Sequence, residues 1–181
     1  MITEIAEHSV DLSLLGSCPA NILDIGCRGF GFADHFGGEN VYSIDIDKLE
    51  GDSSDYYRCA ISDTNSLCGI VNTNDPQARH ITDGNDIIVM TIDSFSKLVG
   101  VEKWDLIKMD IEGEEIKVLK SLKHPYCKQI SVEFHAHVNQ TKEELDSLLD
   151  WLSEWYTIHN RNWVTMHGAG YNYWDILLIA K

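Results

Sequence analysis

Short apolar runs alternate with helical stretches along most of this chain, and that alternation limits the fold more than any other feature. Five of the runs are typical of buried strands: NILDIG (21–26), VYSIDI (41–46), YYRCAI (56–61), WDLIKMDI (104–111) and KQISVEF (128–134). Strands that alternate with helices form a mostly parallel sheet covered on both faces. The last two runs, 156–161 and 173–180, have no helix between them, so we expect them to pair antiparallel. The pattern therefore predicts an α/β fold.

The clearest helix is predicted over residues 141–155, where Thr141 and Glu144 match a capping box. Shorter helices are predicted over 30–37 and 114–123. The buried stripe of the long helix would consist of Leu145, Leu148, Leu149 and Leu152.

The length of 181 residues suits a single domain. Residues 1–20 are expected to form an N-terminal arm or short helix. The segment 62–86 is too long for a plain connection, so we expect an inserted hairpin or a lid there. No apolar run approaches the length of a membrane span, and the first residues do not match a secretory signal.

The chain is strongly acidic, with 14 basic and 29 acidic residues and a formal net charge of −15. Such a field repels phosphate backbones, so we do not expect nucleic acid as a partner. The five cysteines are odd in number and include no Cys-x-x-Cys pair. This argues against a disulfide framework or a structural zinc site and favours the cytoplasm.

A glycine-rich loop follows the first predicted strand, in the segment LDIGCRGFG (23–31). A strand, a glycine turn and a helix form the usual context of a nucleotide-binding loop. Gly26 would permit the turn, and Gly29 or Gly31 would allow the backbone to approach a ligand. The carboxylate of Asp24 would repel a pyrophosphate but suits a cationic ligand.

Acidic residues also end the next two predicted strands. Asp45 lies 21 residues after Asp24, where nucleotide-binding folds place the acid that binds ribose hydroxyls, and Asp47 is an alternative. With the glycine loop, this favours a ribose-containing ligand. Ser62 and Asp63 would lie on the same rim, where they could bind an adenine amino group.

Ionisable groups crowd the segment LIKMDIEGEEIKVL (106–119), where a strand passes into a helix. Glu114 and Glu115 fall in the first helical turn, where the helix dipole favours anions. Asp110 and Glu112 should instead face the binding crevice, because ligands of open α/β sheets bind outside the carboxyl ends of the strands.

The segment SVEFHAH (131–137) would place Glu133, His135 and His137 on one face of a strand at the same rim. Histidine is suited to general base catalysis near neutral pH. A metal site formed by these residues with Asp110 or Glu112 is an alternative. Their spacing matches no established metal motif, so a divalent metal is not expected.

Together these motifs resemble the FkbM family of S-adenosylmethionine-dependent methyltransferases. IKMDIEGEE (107–115) matches the family's K-x-D-x-E-G-x-E signature without a gap, and the resemblance spans Asn21 to about Phe134. The first loop departs from the family's D-x-G-A-N-x-G, because its final glycine is displaced by one residue. Four further segments are similar to the family pattern: TIDSF (91–95), VYSIDID (41–47), CAISDTN (59–65) and ISVEFH (130–135).

The resemblance implies a class I methyltransferase fold, a Rossmann-like three-layer sandwich whose seven-stranded sheet is mostly parallel with an antiparallel last strand. It implies S-adenosyl-L-methionine as cofactor and methyl transfer to a hydroxyl of a sugar or secondary metabolite. Candidate bases are His135 and Asp110, which we rank first, followed by Glu112 and Glu133. The predicted cofactor-binding residues are Asp24, Gly26, Cys27, Arg28, Gly29, Gly31, Asp45, Ile46, Ser62, Asp63 and Asp110.

Two other classes of protein fit parts of the sequence. A nicotinamide-dependent oxidoreductase would use Gly-x-Gly-x-x-Gly, whereas this loop has Gly-x-x-Gly-x-Gly, and the chain lacks a Tyr-x-x-x-Lys pair. The chain is short for this family, so acceptor recognition would have to come from 62–86, from the 163–173 loop or from the second subunit of a homodimer. If these form no pocket, the protein would be a non-catalytic nucleotide-binding module, which is the other alternative.

Overall fold

The computed structural model describes residues 1–16, 19–37, 39–47, 55–71, 79–135, 141–165 and 172–181. Three helices lie within these ranges: α1 (Ile92–Val99), α2 (Glu115–Ser121) and α3 (Lys142–Leu152). Short 3₁₀ helices cover Leu12–Leu14 and Ala33–Phe36. The strands are β1 (Ile2–Ile5), β2 (His8–Asp11), β3 (Asn21–Ile25), β4 (Asn40–Asp45), β5 (Tyr56–Arg58), β6 (Ala60–Ile61), β7 (Ser66–Val71), β8 (His80–Met90), β9 (Leu106–Met109), β10 (Gln129–His135), β11 (Tyr156–Thr165) and β12 (Asn172–Ala180).

The main sheet has seven strands in the order β11-β12-β10-β9-β3-β4-β5. The five strands from β10 to β5 are parallel to one another. The closing strand β12 runs antiparallel to both β10 and β11. The predicted class I methyltransferase sheet, mostly parallel with an antiparallel last strand, is thereby confirmed.

One face of the sheet packs against the three helices. Ile25 and Met109 are register partners on β3 and β9, and both are buried on this face. They share one core with Phe95 of α1, Leu119 of α2 and Leu148 of α3. The predicted capping box at the start of α3 is present, since the side chains of Thr141 and Glu144 each accept a hydrogen bond from the other's backbone N–H.

The opposite face of the sheet is covered by a β-hairpin and a 3₁₀ helix. Ile22 and Leu106 pack there with Val10 of β2 and with Phe36 of the 3₁₀ helix. Side chains alternate between the faces of a strand, so Ile22 and Leu106, three residues before Ile25 and Met109, point to the opposite face. The sheet is therefore the middle of three layers.

The N-terminal residues form a hairpin, β1 and β2, where the sequence predicted an arm or a helix. Ala6 and Glu7 both have positive φ, which is the geometry of a tight two-residue hairpin turn. The hairpin is tied to the sheet by Gln129, whose side-chain oxygen accepts from the Asp11 N–H at 2.9 Å and whose side-chain nitrogen donates to the Asp11 carbonyl at 3.1 Å. Sequence periodicity missed it because its strands have only four residues each.

The inserted segment contributes to a second, three-stranded sheet in the order β6-β8-β7. Strands β7 and β8 pair antiparallel, so the region expected to hold a hairpin or lid holds a β-hairpin that extends to Met90. The run 56–61, predicted as one strand, divides at Cys59 into β5 of the main sheet and β6 of the second. None of the described helices is long and apolar enough to span a membrane.

Gly26 directly follows β3, at a position where no side chain fits. Its φ is +75°, and an added Cβ would lie 1.7 Å from the backbone oxygen of Asp110. We expect Gly26→Ala to lower the free energy of unfolding by about 3 kcal/mol, because strain and a backbone clash add. Urea denaturation would measure the loss.

Gly37→Ala is the matched control for that substitution. Gly37 has a φ of −54°, and an added Cβ would find no atom within 4 Å. Its stability should remain within about 0.5 kcal/mol of the parent protein. Equal stabilities of the two variants would contradict the close approach of the Gly26 turn to Asp110.

Candidate active site

The carboxyl ends of β3, β4 and β9 border a cleft of about 650 Å³ that is open to solvent. The second sheet closes it on one side through Ala60 and Ile61, together with the preceding Cys59. This is the location at which open α/β sheets bind their ligands. The polar and charged residues that line the cleft are Arg28, Asp45, Asp47, Arg79, His80, Asp110, Glu112 and Glu114.

The glycine-rich loop is held against β4 by its backbone. The N–H groups of Gly26 and Cys27 donate to the Ile44 carbonyl at 2.8 and 3.1 Å, and the Arg28 N–H donates to Asp45 Oδ2 at 2.7 Å. Gly26 and Arg28 line the cleft, whereas the Cys27 side chain is buried. Gly29 and Gly31, the later glycines of the loop, are not among the described residues that line the cleft.

Asp45 and Asp47 have different surroundings, although the sequence offered both for ribose binding. The Asp45 carboxylate lies in the cleft wall and accepts the backbone N–H groups of Arg28 and Asp47. Asp47 instead forms an ion pair with Arg79, which lies just before β8. Arg79 belongs to no recognisable motif, so sequence reasoning missed it. Asp45 is thus the carboxylate better placed for a ligand.

Lys108 and Asp24 form a buried ion pair beneath the cleft. Lys108 Nζ lies 3.3 Å from Asp24 Oδ1 and donates to the Gly26 carbonyl at 2.6 Å. Burial alone would lower the pKa of Lys108, but the charges of Asp24 and Asp110 outweigh it and raise the pKa above its ordinary value. Asp24 does not line the cleft, so the structure gives it an anchoring position in place of the predicted contact with a cationic ligand.

The acids of the β9–α2 junction divide into two groups. Asp110 and Glu112 line the cleft. Glu115 lies in the first turn of α2, as predicted, but it is fully buried and accepts hydrogen bonds from the Ile111 and Gly113 N–H groups. Its carboxylate therefore accepts hydrogen bonds from backbone N–H groups that would otherwise be buried without a partner.

Glu114 also has an internal partner, because its carboxylate accepts a hydrogen bond from the Ser62 hydroxyl. Ser62 is buried, and its neighbour Asp63 is exposed. Neither lines the cleft, where residues 59–61 lie instead. The predicted contact of Ser62 and Asp63 with an adenine amino group therefore has no support in this arrangement.

His135 is enclosed by carboxylates. Its Nδ1 donates to Glu115 Oε1 at 2.9 Å, and its Nε2 lies 3.5, 3.5 and 3.4 Å from carboxylate oxygens of Asp110, Glu112 and Glu133. Burial would lower the pKa of His135, but the hydrogen bonds to Glu115 and Glu133 raise it well above the usual value. An imidazole that binds its proton this firmly is a weaker candidate for the general base, which argues against His135, one of the two candidates ranked first.

Glu112 is the candidate base with the most unusual surroundings. Its backbone φ is +52°, a conformation that side chains other than glycine rarely adopt. Burial raises the pKa of Glu112 to about 7, with the charge of His135 opposing that rise and the charge of Asp110 adding to it. Of the four candidate bases, Asp110 and Glu112 line the cleft, and Glu133 and His135 lie behind it.

The N-terminal hairpin places His8 against the same cluster. His8 is 3% exposed, and a ring nitrogen lies within 4.8 Å of carboxylate oxygens on Asp110 and Glu133. Burial and the charge of Lys108 lower the pKa of His8 to about 4. No sequence signal pointed to His8, because an isolated histidine gives no indication of its neighbours. The predicted candidate His137, and residues 166–171 of the predicted acceptor loop, lie outside the described residues.

The parallel sheet, the glycine turn and the acidic strand ends are features of α/β proteins that bind nucleoside cofactors. A family model, the methyltransferase FkbM domain, matches residues 27–171, and the chain belongs to this family of S-adenosylmethionine-dependent methyltransferases. The resemblance found in the sequence is thus confirmed, and the nicotinamide-dependent alternative is not supported.

Two solved structures are similar to the chain. A TehB-like SAM-dependent methyltransferase from Corynebacterium glutamicum shares 14% identity with a TM-score of 0.44, covering 94% of this chain and 85% of its own. A precorrin-6y C5,15-methyltransferase from Geobacter metallireducens shares 9% identity with a TM-score of 0.45, covering 93% and 84%. No curated protein matches the sequence significantly.

Removing the charge of Lys108 should destabilise the protein severely. Lys108→Met leaves the buried Asp24 carboxylate uncompensated and the Gly26 carbonyl without its donor. We expect a loss of about 3 to 5 kcal/mol in the free energy of unfolding, measured by chemical denaturation.

The double variant Asp24→Asn with Lys108→Met tests the cause of that loss. It removes both charges, so it should be more stable than Lys108→Met alone. If adding Asp24→Asn brings no recovery, the loss does not arise from an unpaired charge on Asp24.

Proposed function

We propose that this methyltransferase transfers a methyl group to a hydroxyl oxygen of a sugar or a similar polyhydroxylated small molecule. The observation that supports this is the pair of carboxylates, Asp110 and Glu112, in the cleft wall beside the Gly26 turn and Asp45. A hydroxyl is too weak an acid to react without losing its proton, so O-methylation requires a base at this position.

The cleft residues fit S-adenosylmethionine. Asp45 would bind the ribose hydroxyls, and Gly26 and Arg28 would contact the amino-acid portion through the loop. Ile46 and Ile61 supply apolar surface for the adenine. The acidic lining matches a cofactor that is a sulfonium cation. When bound, S-adenosylmethionine supplies a methyl group that a nucleophilic oxygen can attack.

Glu112 is our candidate for the general base. It lines the cleft, and the Gly113 turn behind it is fixed by hydrogen bonds to the buried carboxylate of Glu115. Residues held in a rare backbone conformation are characteristic of functional sites. The acceptor proton would pass to Glu112 as the new carbon–oxygen bond forms and the carbon–sulfur bond breaks, which leaves S-adenosylhomocysteine. Asp110 is the alternative base, and His135 would act by holding both carboxylates in place.

Titration calorimetry with S-adenosylhomocysteine, beside a parallel titration with NADH, tests cofactor recognition first. Saturable binding of S-adenosylhomocysteine alone is expected. A screen of saccharides and polyols with radiolabelled S-adenosylmethionine then tests the acceptor class. Methylation of amines but of no hydroxyl compound would refute O-methylation, and cofactor binding without any transfer would favour the non-catalytic module.

Asp45 should determine affinity for the cofactor. Asp45→Asn removes the charge that would accept the ribose hydroxyls, so we expect S-adenosylhomocysteine to bind at least about tenfold more weakly, a loss of about 1.4 kcal/mol. Asp47→Asn is the matched control, because the Asp47 carboxylate is already paired with Arg79. A greater loss in the Asp47 variant would transfer the ribose role to that residue.

Glu112 should determine turnover without affecting affinity. Glu112→Gln keeps the shape of the side chain but cannot accept a proton, so we expect kcat to fall by about 10² or more. The dissociation constant of S-adenosylhomocysteine should change less than about threefold. Retention of full turnover would exclude Glu112 as the base and leave Asp110 as the remaining candidate.

We also propose that the protein acts in the cytoplasm. The four cysteines in the described part of the chain, Cys27, Cys59, Cys68 and Cys127, are all buried and unpaired. Proteins of oxidising compartments commonly pair their cysteines, whereas free thiols persist in a reducing one.

A further inference from the structure

His8 is a buried histidine with an unsatisfied nitrogen. It begins β2, is 3% exposed and packs edge-on against Phe32 at 5.9 Å between ring centroids. Its Nδ1 is shielded from solvent and has no hydrogen-bond partner in the described part of the chain. Leaving such a group without a partner is costly, so its position needs an explanation.

Two triads of ligand-type atoms meet at Asp110. A ring nitrogen of His8 and carboxylate oxygens of Asp110 and Glu133 lie within 4.8 Å of one another. Oxygens of Asp110 and Glu112 and a nitrogen of His135 form a second group within the same limit. Three distant parts of the chain, the hairpin, the β9–α2 junction and β10, therefore converge on one point.

His135 holds the two carboxylates of the first triad in place. Its Nε2 lies 3.5 Å from Asp110 Oδ1 and 3.4 Å from Glu133 Oε1, and its Nδ1 donates to Glu115 at 2.9 Å. Outer partners of this kind orient the carboxylates that bind a metal ion.

Acidic side chains dominate the surroundings of the first triad. Four carboxylates surround His135: Asp110, Glu112, Glu115 and Glu133. The nearby cation Lys108 is closer to Asp24, at 3.3 Å, than to Asp110, at 3.8 Å. His8 and Glu133 do not line the cleft, so a cofactor bound there would leave these two ligands accessible to an ion. The negative charge of this region attracts a divalent cation.

We propose that His8, Asp110 and Glu133 bind a divalent transition-metal ion behind the cofactor cleft. An imidazole with two carboxylates suits Mn²⁺, Fe²⁺, Co²⁺ or Zn²⁺, whereas Mg²⁺ and Ca²⁺ prefer oxygen ligands alone. His8 lies outside residues 27–171, the part that matches the family model. The site is therefore built by joining the N-terminal hairpin to the family domain, and it goes beyond the proposed methyl transfer.

Binding of Mn²⁺ to the chelator-treated full chain tests this proposal without cofactor or acceptor. We expect saturable binding of one equivalent, followed by electron paramagnetic resonance, with Mg²⁺ competing weakly. Electron spin echo modulation from ¹⁴N should show histidine ligation. Absence of saturable Mn²⁺ binding, or of nitrogen coupling, would overturn the proposal. Because S-adenosylhomocysteine titration is a separate measurement, failure here is distinguishable from failure of the proposed function.

His8→Ala and Glu133→Gln should each weaken Mn²⁺ binding by about tenfold or more. His35→Ala is the matched control, since His35 is exposed on the neighbouring 3₁₀ helix, and it should bind like the parent protein. Circular dichroism establishes that each variant folds. If His8→Ala does not fold, Glu133→Gln decides the question. Parental affinity in either folded variant would overturn the proposed ligand set.

Discussion

The ion pair between Lys108 and Asp24 is the interaction on which the binding site depends. The two residues are register partners on the adjacent strands β9 and β3, so the sheet itself brings their charges together. Lys108 then reaches the carbonyl of Gly26, where the chain leaves β3. Water cannot compensate charges at this depth, so the pair and the carbonyl must satisfy one another. The turn that forms the base of the cleft is fixed by this requirement.

A second buried polar group, Glu115, follows the same principle at the β9–α2 junction. Glu115 binds the backbone N–H groups of Ile111 and Gly113 on one side and His135 on the other. It thereby fixes both the strained turn that presents Glu112 and the imidazole that faces the surrounding carboxylates. The polar interior under the hairpin, with His8 among it, makes this face of the sheet unlike the apolar face under the helices. Chemistry and stability share the same few hydrogen bonds here.

Whether a structural feature could be predicted from the sequence depends on how far apart in the chain the residues that form it lie. The strands β3, β4, β9 and β10 and the helices α2 and α3 were predictable, because apolar periodicity and capping are properties of neighbouring residues. Asp110 and Glu112 were correctly expected to face the crevice, since strand ends indicate a rim. The hairpin at residues 2–11 and the division of 56–61 between two sheets were not predicted. The hairpin depends on its contact with the distant Gln129, and the division depends on pairing with distant strands.

The sequence by itself determined the family, the parallel sheet and the rim on which the acidic residues gather, because the motif IKMDIEGEE and the strand pattern are contiguous. Only the tertiary structure decided the tasks of individual residues. Asp24 and Asp45 occur in similar sequence patterns near the ends of strands. In the structure, Asp24 is paired with Lys108 beneath the cleft, whereas Asp45 lies in the cleft wall. Burial and charge pairing are set by residues far apart in the chain, and for that reason His8 and Arg79 became visible only in three dimensions.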